Sequence, residues 1–228
     1  MANFILIAGT YHGGWYWDQI VPALIKAGHK VFAPSLSGLD AANQIKTQIN
    51  LDTHINDVLQ IIEDNSLDDV VLVGWSYGGM VITGAADRTE AKVQRLIYLD
   101  AQLPKPGERE WDLIPDHEHE MFIDLCKDGL NLYPDDGMLG YEPRMHPHPF
   151  ATKLQPLHYD QTKFDALNKV FVFAEKWFGD PTVLSPIKRS YLNATKDPGW
   201  TTQIWPNQHD LVREDFERVI QLLLSEAK

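Results

Sequence analysis

Cysteine is almost absent. The 228-residue chain holds one, Cys126, so no internal disulfide can form and nothing demands an oxidising compartment. Long apolar runs are missing as well: no stretch approaches the roughly 18 consecutive apolar residues of a membrane-spanning helix. Basic residues are scarce, 20 Lys and Arg against 32 Asp and Glu. The resulting net charge of −12 and pI near 5.1 argue against nucleic acid and anionic membrane surfaces as partners, and disfavour strongly anionic substrates. Met1-Ala2-Asn3 runs straight into a strand pattern without a basic region or a long apolar segment, which favours a cytoplasmic location. Internal repeats and low-complexity tracts are also missing. What is abundant is apolar material, 44% of residues, enough for one sizeable core in a single domain over 1–228.

Short apolar runs alternate with helical periodicity, the pattern of an α/β fold with a mainly parallel sheet covered by helices on both faces. Strands are predicted at 4–8, 30–34, 70–74, 95–99, 169–174 and 201–205. Helices are predicted from Ile20, Val21, Leu24 and Ile25, from Ile55, Val58, Leu59 and Ile62, and from Val212, Phe216, Val219, Ile220, Leu223 and Leu224. At about residue 103, where Pro104-Lys-Pro-Gly107 follows, the composition turns rich in Pro, Gly, His and acidic residues until near Asn168. That stretch is expected to be a cap inserted between two core strands.

The chemistry starts at Val70-Val-Leu-Val-Gly74-Trp-Ser76-Tyr-Gly78-Gly79. One serine stands between glycines, after a buried strand and before a run that continues as a helix, which is the pattern of a nucleophile elbow. Side chains two positions to either side would collide with neighbouring strands, and Gly74 and Gly78 remove them. The backbone N–H of Tyr77 then points from the helix N-terminus toward an oxyanion. A second donor is expected from the loop after the first strand, Gly9-Thr10-Tyr11-His12-Gly13-Gly14-Trp15, where Thr10 N–H can approach a substrate oxygen. His12 is placed at the substrate rim or in a turn-stabilising hydrogen bond.

A serine elbow needs a base and an acid, in the order Ser, Asp or Glu, His. Of nine histidines, His209 fits best, on a polar loop between the last strand and the last helix. For the acid, the loop after 169–174 offers Glu175 and Asp180. Asp180, deeper in the loop and directly before Pro181, is chosen, ahead of a helix N-capping role that the sequence also fits. Asp100, at the end of Arg95-Leu-Ile-Tyr-Leu-Asp100, is the third candidate.

These segments, with Leu96-Ile-Tyr-Leu-Asp100-Ala-Gln-Leu-Pro104 and Pro147-His148-Pro149-Phe150-Ala-Thr152-Lys-Leu-Gln-Pro156, resemble the α/β-hydrolase branch that holds small carboxylesterases, methylesterases and hydroxynitrile lyases. The resemblance implies an α/β-hydrolase fold with an inserted cap, a Ser76, Asp180, His209 triad, an oxyanion hole from Thr10 and Tyr77, and no cofactor. The chain departs from the S-selective lyases at Gly9, where they carry threonine, and at Asp210, where they carry lysine. Without that cation, cyanide has no receiver and the lyase reading weakens. An acidic residue beside the histidine is expected to repel cyanide.

In the cap, Asp116-His117-Glu118-His119-Glu120 offers ligand-type side chains, but His117 and His119 face different sides of a helix. His146 and His148 lie in extended Pro-rich backbone, and no second group completes a metal site. A solvated cap surface is the expected role of these histidines, and Cys126 is expected at an apolar position of a cap helix. Trp111, Phe122, Leu125, Tyr133, Met138, Tyr141 and Phe150 are expected to line or support an apolar pocket, with Trp111 on the substrate. The expected partner is a small-molecule ester, and a homodimer is left open. Two rivals stand beside the esterase: another catalyst on the same fold, such as a lyase, and a small-ligand receptor with little or no turnover.

Overall fold

The structure, a computed structural model, describes residues 1–40, 48–176 and 185–227. Its strands are β1 (Asn3–Ile7), β2 (Lys30–Phe32), β3 (Val70–Trp75), β4 (Val93–Leu99), β5 (Asn131–Leu132), β6 (His148–Pro149), β7 (Lys169–Ala174) and β8 (Trp200–Trp205). Its α-helices are α1 (Val21–Lys26), α2 (Leu51–Asp64), α3 (Gly78–Arg88), α4 (Asp116–Leu125), α5 (Asp136–Tyr141), α6 (Ala151–Leu154), α7 (Gln161–Asp165), α8 (Pro186–Ala194), α9 (Leu211–Glu214) and α10 (Phe216–Glu226).

Six strands form one sheet in the order β2-β1-β3-β4-β7-β8, and every neighbouring pair is parallel. The period-two alternation of strand side chains divides the apolar residues between two faces. Ile5, Ile7, Leu72, Leu96, Tyr98 and Phe171 pack with Ile55 and Val58 of α2 and Met80 and Val81 of α3. Phe4, Leu6, Val71, Val73, Ile97 and Val172 pack with Leu24 of α1 and with Val219 and Leu223 of α10. Both faces are therefore dry, which is why the central strands read as unbroken apolar runs.

Two helical expectations are corrected. Ile25 is exposed, because α1 is short and buries Leu24 alone. The last helical pattern is broken into α9 and α10 at Asp215, whose carboxylate caps Arg218 N–H. β2 lies on one side of β1 and β3 on the other. This reversal opens a crevice beyond the carboxyl ends of β1 and β3, the usual ligand position in such sheets. The segment between β4 and β7 carries α4 to α7 and the two-stranded antiparallel pair of β5 and β6. Among the described residues no helix is long and apolar enough to cross a membrane.

Candidate active site

Ser76 joins β3 to α3 with φ at +56°, a left-handed conformation that an L-residue adopts only under constraint. The constraint is visible: Ser76 O accepts from Gly79 N at 3.1 Å and from Gln102 N at 2.9 Å. A Cβ on Gly78 would lie 2.5 Å from Ile7 O of the neighbouring strand. A Cβ on Gly74 would meet the carbonyl of Gly78 at 2.6 Å, so there the tight approach is to the start of α3, not to a strand.

His209, on the loop between β8 and α9, has Nδ1 2.7 Å from Asp100 Oδ2. Asp100 is fully buried directly after β4. Its Oδ1 accepts from Ala174 N at 2.9 Å, and its N–H donates to Val172 O at 2.7 Å. A carboxylate oxygen that accepts from Nδ1–H fixes the tautomer of the ring, with Nε2 as its basic nitrogen. Trp75 adds a support that sequence reasoning missed. Its Nε1 donates to His209 O at 2.7 Å, and its ring lies 4.9 Å from the imidazole. Of the other acid candidates, Asp180 lies outside the described residues. Glu175 is exposed just past β7 and its N–H donates to Trp205 O.

Thr10 and Ser76 share the wall of a cavity of about 210 Å³. The turn that brings Thr10 there needs φ of +67° at Tyr11. His12 lies behind the turn, not on the cavity. Its Nδ1 is 2.7 Å from Thr10 O, and the rings of Trp15, Tyr16 and Trp75 surround it at 4.9–5.2 Å. Burial holds its pKa below the usual histidine value. Lys153 was not singled out by the sequence, because a lysine in a short amphipathic stretch normally faces water. Here it is buried, with Nζ 2.6 Å from Thr10 Oγ1, 2.9 Å from Glu110 Oε1 and 4.5 Å from the centre of the Tyr77 ring. Desolvation lowers its pKa, and the Glu110 carboxylate opposes that shift.

The rest of the lining is mainly apolar, with Ile114, Met121, Phe122, Leu125, Met138, Pro186 and Ile187 beside the polar Glu118 and Ser185. Trp111 is not part of it. It stacks on His119 at 4.1 Å and meets Phe150 edge-on at 5.6 Å. Tyr133 and Tyr141 also lie elsewhere, their hydroxyls donating to Asp128 and Asp210. Asp210 accepts a second hydrogen bond from Tyr16 Oη at 2.7 Å, so its carboxylate is already engaged by two tyrosines. The expectation of solvated cap histidines fails at His148, which is fully buried. It bonds Thr152 Oγ1 at 2.8 Å and packs 4.9 Å from the Tyr77 ring, because β6 folds back under the elbow. Cys126 follows α4 and is half-buried. Among the described residues no group of three or more His, Cys, Asp or Glu is placed to hold a metal ion.

Residues 2–133 match the family model described as the alpha/beta hydrolase fold. The chain is 34% identical over 233 residues, 93% of its length and 94% of the relative's, to a carbendazim hydrolyzing esterase of Nocardioides sp. (strain SG-4G). It is 32% identical over 127 residues, 54% of this chain and 46% of the other, to an alpha-hydroxynitrile lyase of Arabidopsis thaliana. A solved pyrethroid hydrolase from Sphingobium faniae JZ-2 has a TM-score of 0.78 at 21% identity, covering 99% of this chain and 97% of that one. At that identity the likeness speaks for the fold.

Proposed function

Because the chain belongs to the alpha/beta-hydrolase family, we propose that it is a carboxylesterase that cleaves small esters through Ser76, His209 and Asp100. The observation that carries this reading is the 2.7 Å contact between His209 Nδ1 and the buried Asp100, on a loop held by Trp75, the residue before the strained Ser76. Asp100 replaces Asp180 as the acid in this reading, since it already holds the ring nitrogen that the acid must hold. The esterase named among the relatives, aligned over nearly the whole chain, supports ester hydrolysis as the reaction.

In the proposed mechanism His209 Nε2 takes the Ser76 Oγ proton as Oγ attacks the ester carbonyl. The N–H groups of Thr10 and Tyr77 stabilise the oxyanion, the latter helped by the positive end of α3. Donors of this kind contribute ~3–4 kcal/mol each to such barriers. His209 then protonates the departing alcohol, and the same ring activates the water that cleaves the acyl-enzyme. Residues 103–168 act as a cap that supplies the apolar wall for the substrate. The reaction needs no cofactor. His12 and Trp111 serve as bracing for the oxyanion turn and the cap, not as substrate ligands.

Steady-state ester hydrolysis by acid variants tests this reading. Asp100→Asn is expected to lower turnover about 10⁴-fold by stabilising the wrong tautomer. Asp180→Asn and Glu175→Gln are expected to stay within about tenfold of the parent, as residues outside the triad should. A larger loss in Asp180→Asn than in Asp100→Asn would return the acid to the loop after β7.

A further inference from the structure

Three residues of the Ser76 cavity lining each carry a buried polar atom with no hydrogen-bond partner among the described residues: Gln102 Oε1, Glu110 Oε2 and Tyr11 Oη. All three residues are more than nine-tenths buried. Buried polar groups normally find partners, and unpaired ones retain an uncompensated desolvation cost. Their grouping in one wall of the cavity points to a ligand that supplies what the chain does not.

The chemistry of that ligand follows from the wiring. Gln102 N–H donates to Ser76 O at 2.9 Å, which ties this residue to the nucleophile. Its Nε2 donates to Glu110 Oε1 at 2.9 Å. That contact fixes the amide orientation, because the reversed amide would set oxygen against carboxylate. Oε1 is therefore the unused atom. Glu110 Oε1 also takes the Lys153 ammonium at 2.9 Å. Oε2 lies 2.8 Å from the same nitrogen, yet it receives no directed hydrogen bond. Lys153 balances the carboxylate, so the wall presents acceptors without net charge. Such a wall favours a neutral donor, rejects a carboxylate, and gives an ammonium ion little beyond what Lys153 already provides.

We propose that this wall makes the enzyme selective for esters that carry a neutral N–H or O–H donor close to the scissile carbonyl. Gln102 Oε1 and Glu110 Oε2 receive the donor, and Tyr11 Oη adds a hydroxyl that can turn either way. The mainly apolar remainder of the lining takes the rest of the substrate. This inference rests on the esterase reading and specifies the substrate class of the same site.

The test compares methyl N-acetylglycinate with methyl levulinate, two esters of near-identical shape in which N–H is replaced by CH₂. kcat/KM for each is divided by its rate of alkaline hydrolysis to remove intrinsic reactivity. The donor ester is expected to be preferred at least about tenfold, since a site built for a donor rejects the analogue lacking it. That preference should fall below about threefold in Gln102→Met and in the charge-balanced Glu110→Leu/Lys153→Met pair, which lack the acceptors. A wild-type ratio within about twofold, with both esters cleaved in a Ser76-dependent way, would overturn the donor selectivity and leave the esterase standing. If neither ester nor p-nitrophenyl acetate is cleaved, the esterase reading itself fails. Donor selectivity is then decided by calorimetric binding of the two esters to Ser76→Ala, where at least about tenfold tighter binding of the donor ester supports it and equal binding overturns it.

Discussion

Tyr11, Ser76 and Asp100 adopt φ of +67°, +56° and +45°, and each supplies or neighbours a group in the proposed reaction. Left-handed non-glycine residues typically cost about 1–3 kcal/mol each and persist where surroundings over-determine them. Here Ser76 is held by two N–H donors on its carbonyl, and Asp100 by Ala174 and Val172 across the sheet. Residue detail also changes the argument against cyanide chemistry. Asp210 does not act as a free negative charge beside His209, because Tyr16 and Tyr141 occupy its carboxylate. Gly9 carries that argument instead: a Cβ there would sit 2.7 Å from Ser76 Cβ, so the threonine of the S-selective lyases does not fit without a shift. The buried cation nearby, Lys153, is already paired with Glu110. Mandelonitrile should therefore release no cyanide above the uncatalysed background under conditions where short esters are cleaved. Ser76-dependent cyanide release, followed with a cyanide electrode, would contradict this and put the lyase first.

At the scale of elements, the Lys153 and Glu110 pair ties α6 and the segment after β4 to the turn that carries Thr10. Removing one partner of a buried ion pair leaves an uncompensated charge. Glu110→Gln is expected to cost about 3–5 kcal/mol in urea unfolding, while Glu110→Gln/Lys153→Met should recover most of that loss. Equal destabilisation in both would show that the pair is not a charge-compensated unit. The six strands of the main sheet were legible in the sequence to within about two residues, the usual boundary error, because the four inner ones are largely buried apolar runs and the edge strands β2 and β8, though only partly buried, are short runs between turn signals. Ser76 was legible for the same reason, since an elbow is a local pattern of strand, glycines and helix. The ion pair was not, because nothing local separates a buried lysine from a solvated one. The carboxylate on His209 was named only as a third choice. Periodicity locates the ends of β4 and β7 but does not say which end lies under the histidine loop. The break at Asp215 was hidden by an apolar pattern that continues across it. His148 was misread because a Pro-rich segment looks exposed until the element it packs against is known.

For the molecule as a whole, three buried histidines tie stability to pH. Desolvation lowers the pKa of His12, pushes His54 down to about 4 and holds His148 well below the usual range. All three are thus kept neutral when folded and titrate near 6.5 when unfolded. The unfolded state then binds more protons below that value. Stability should be complete above pH ~6.5 and fall as pH drops, by about 2 kcal/mol for His54 by pH 5, with His12 and His148 acting in the same direction. Urea midpoints at neutral pH and near pH 5 check this, and an unchanged midpoint would mean these rings are not buried neutral. The claim on which the rest depends is that one serine in this fold performs acyl transfer. Its most direct measurement is peptide mass spectrometry after treatment with a serine-directed organophosphate, alongside p-nitrophenyl acetate turnover. The account predicts a single adduct on Ser76, formed in step with complete loss of turnover and absent from Ser76→Ala. Turnover that persists after Ser76 is fully labelled, or an inactivating adduct on another residue, would contradict it.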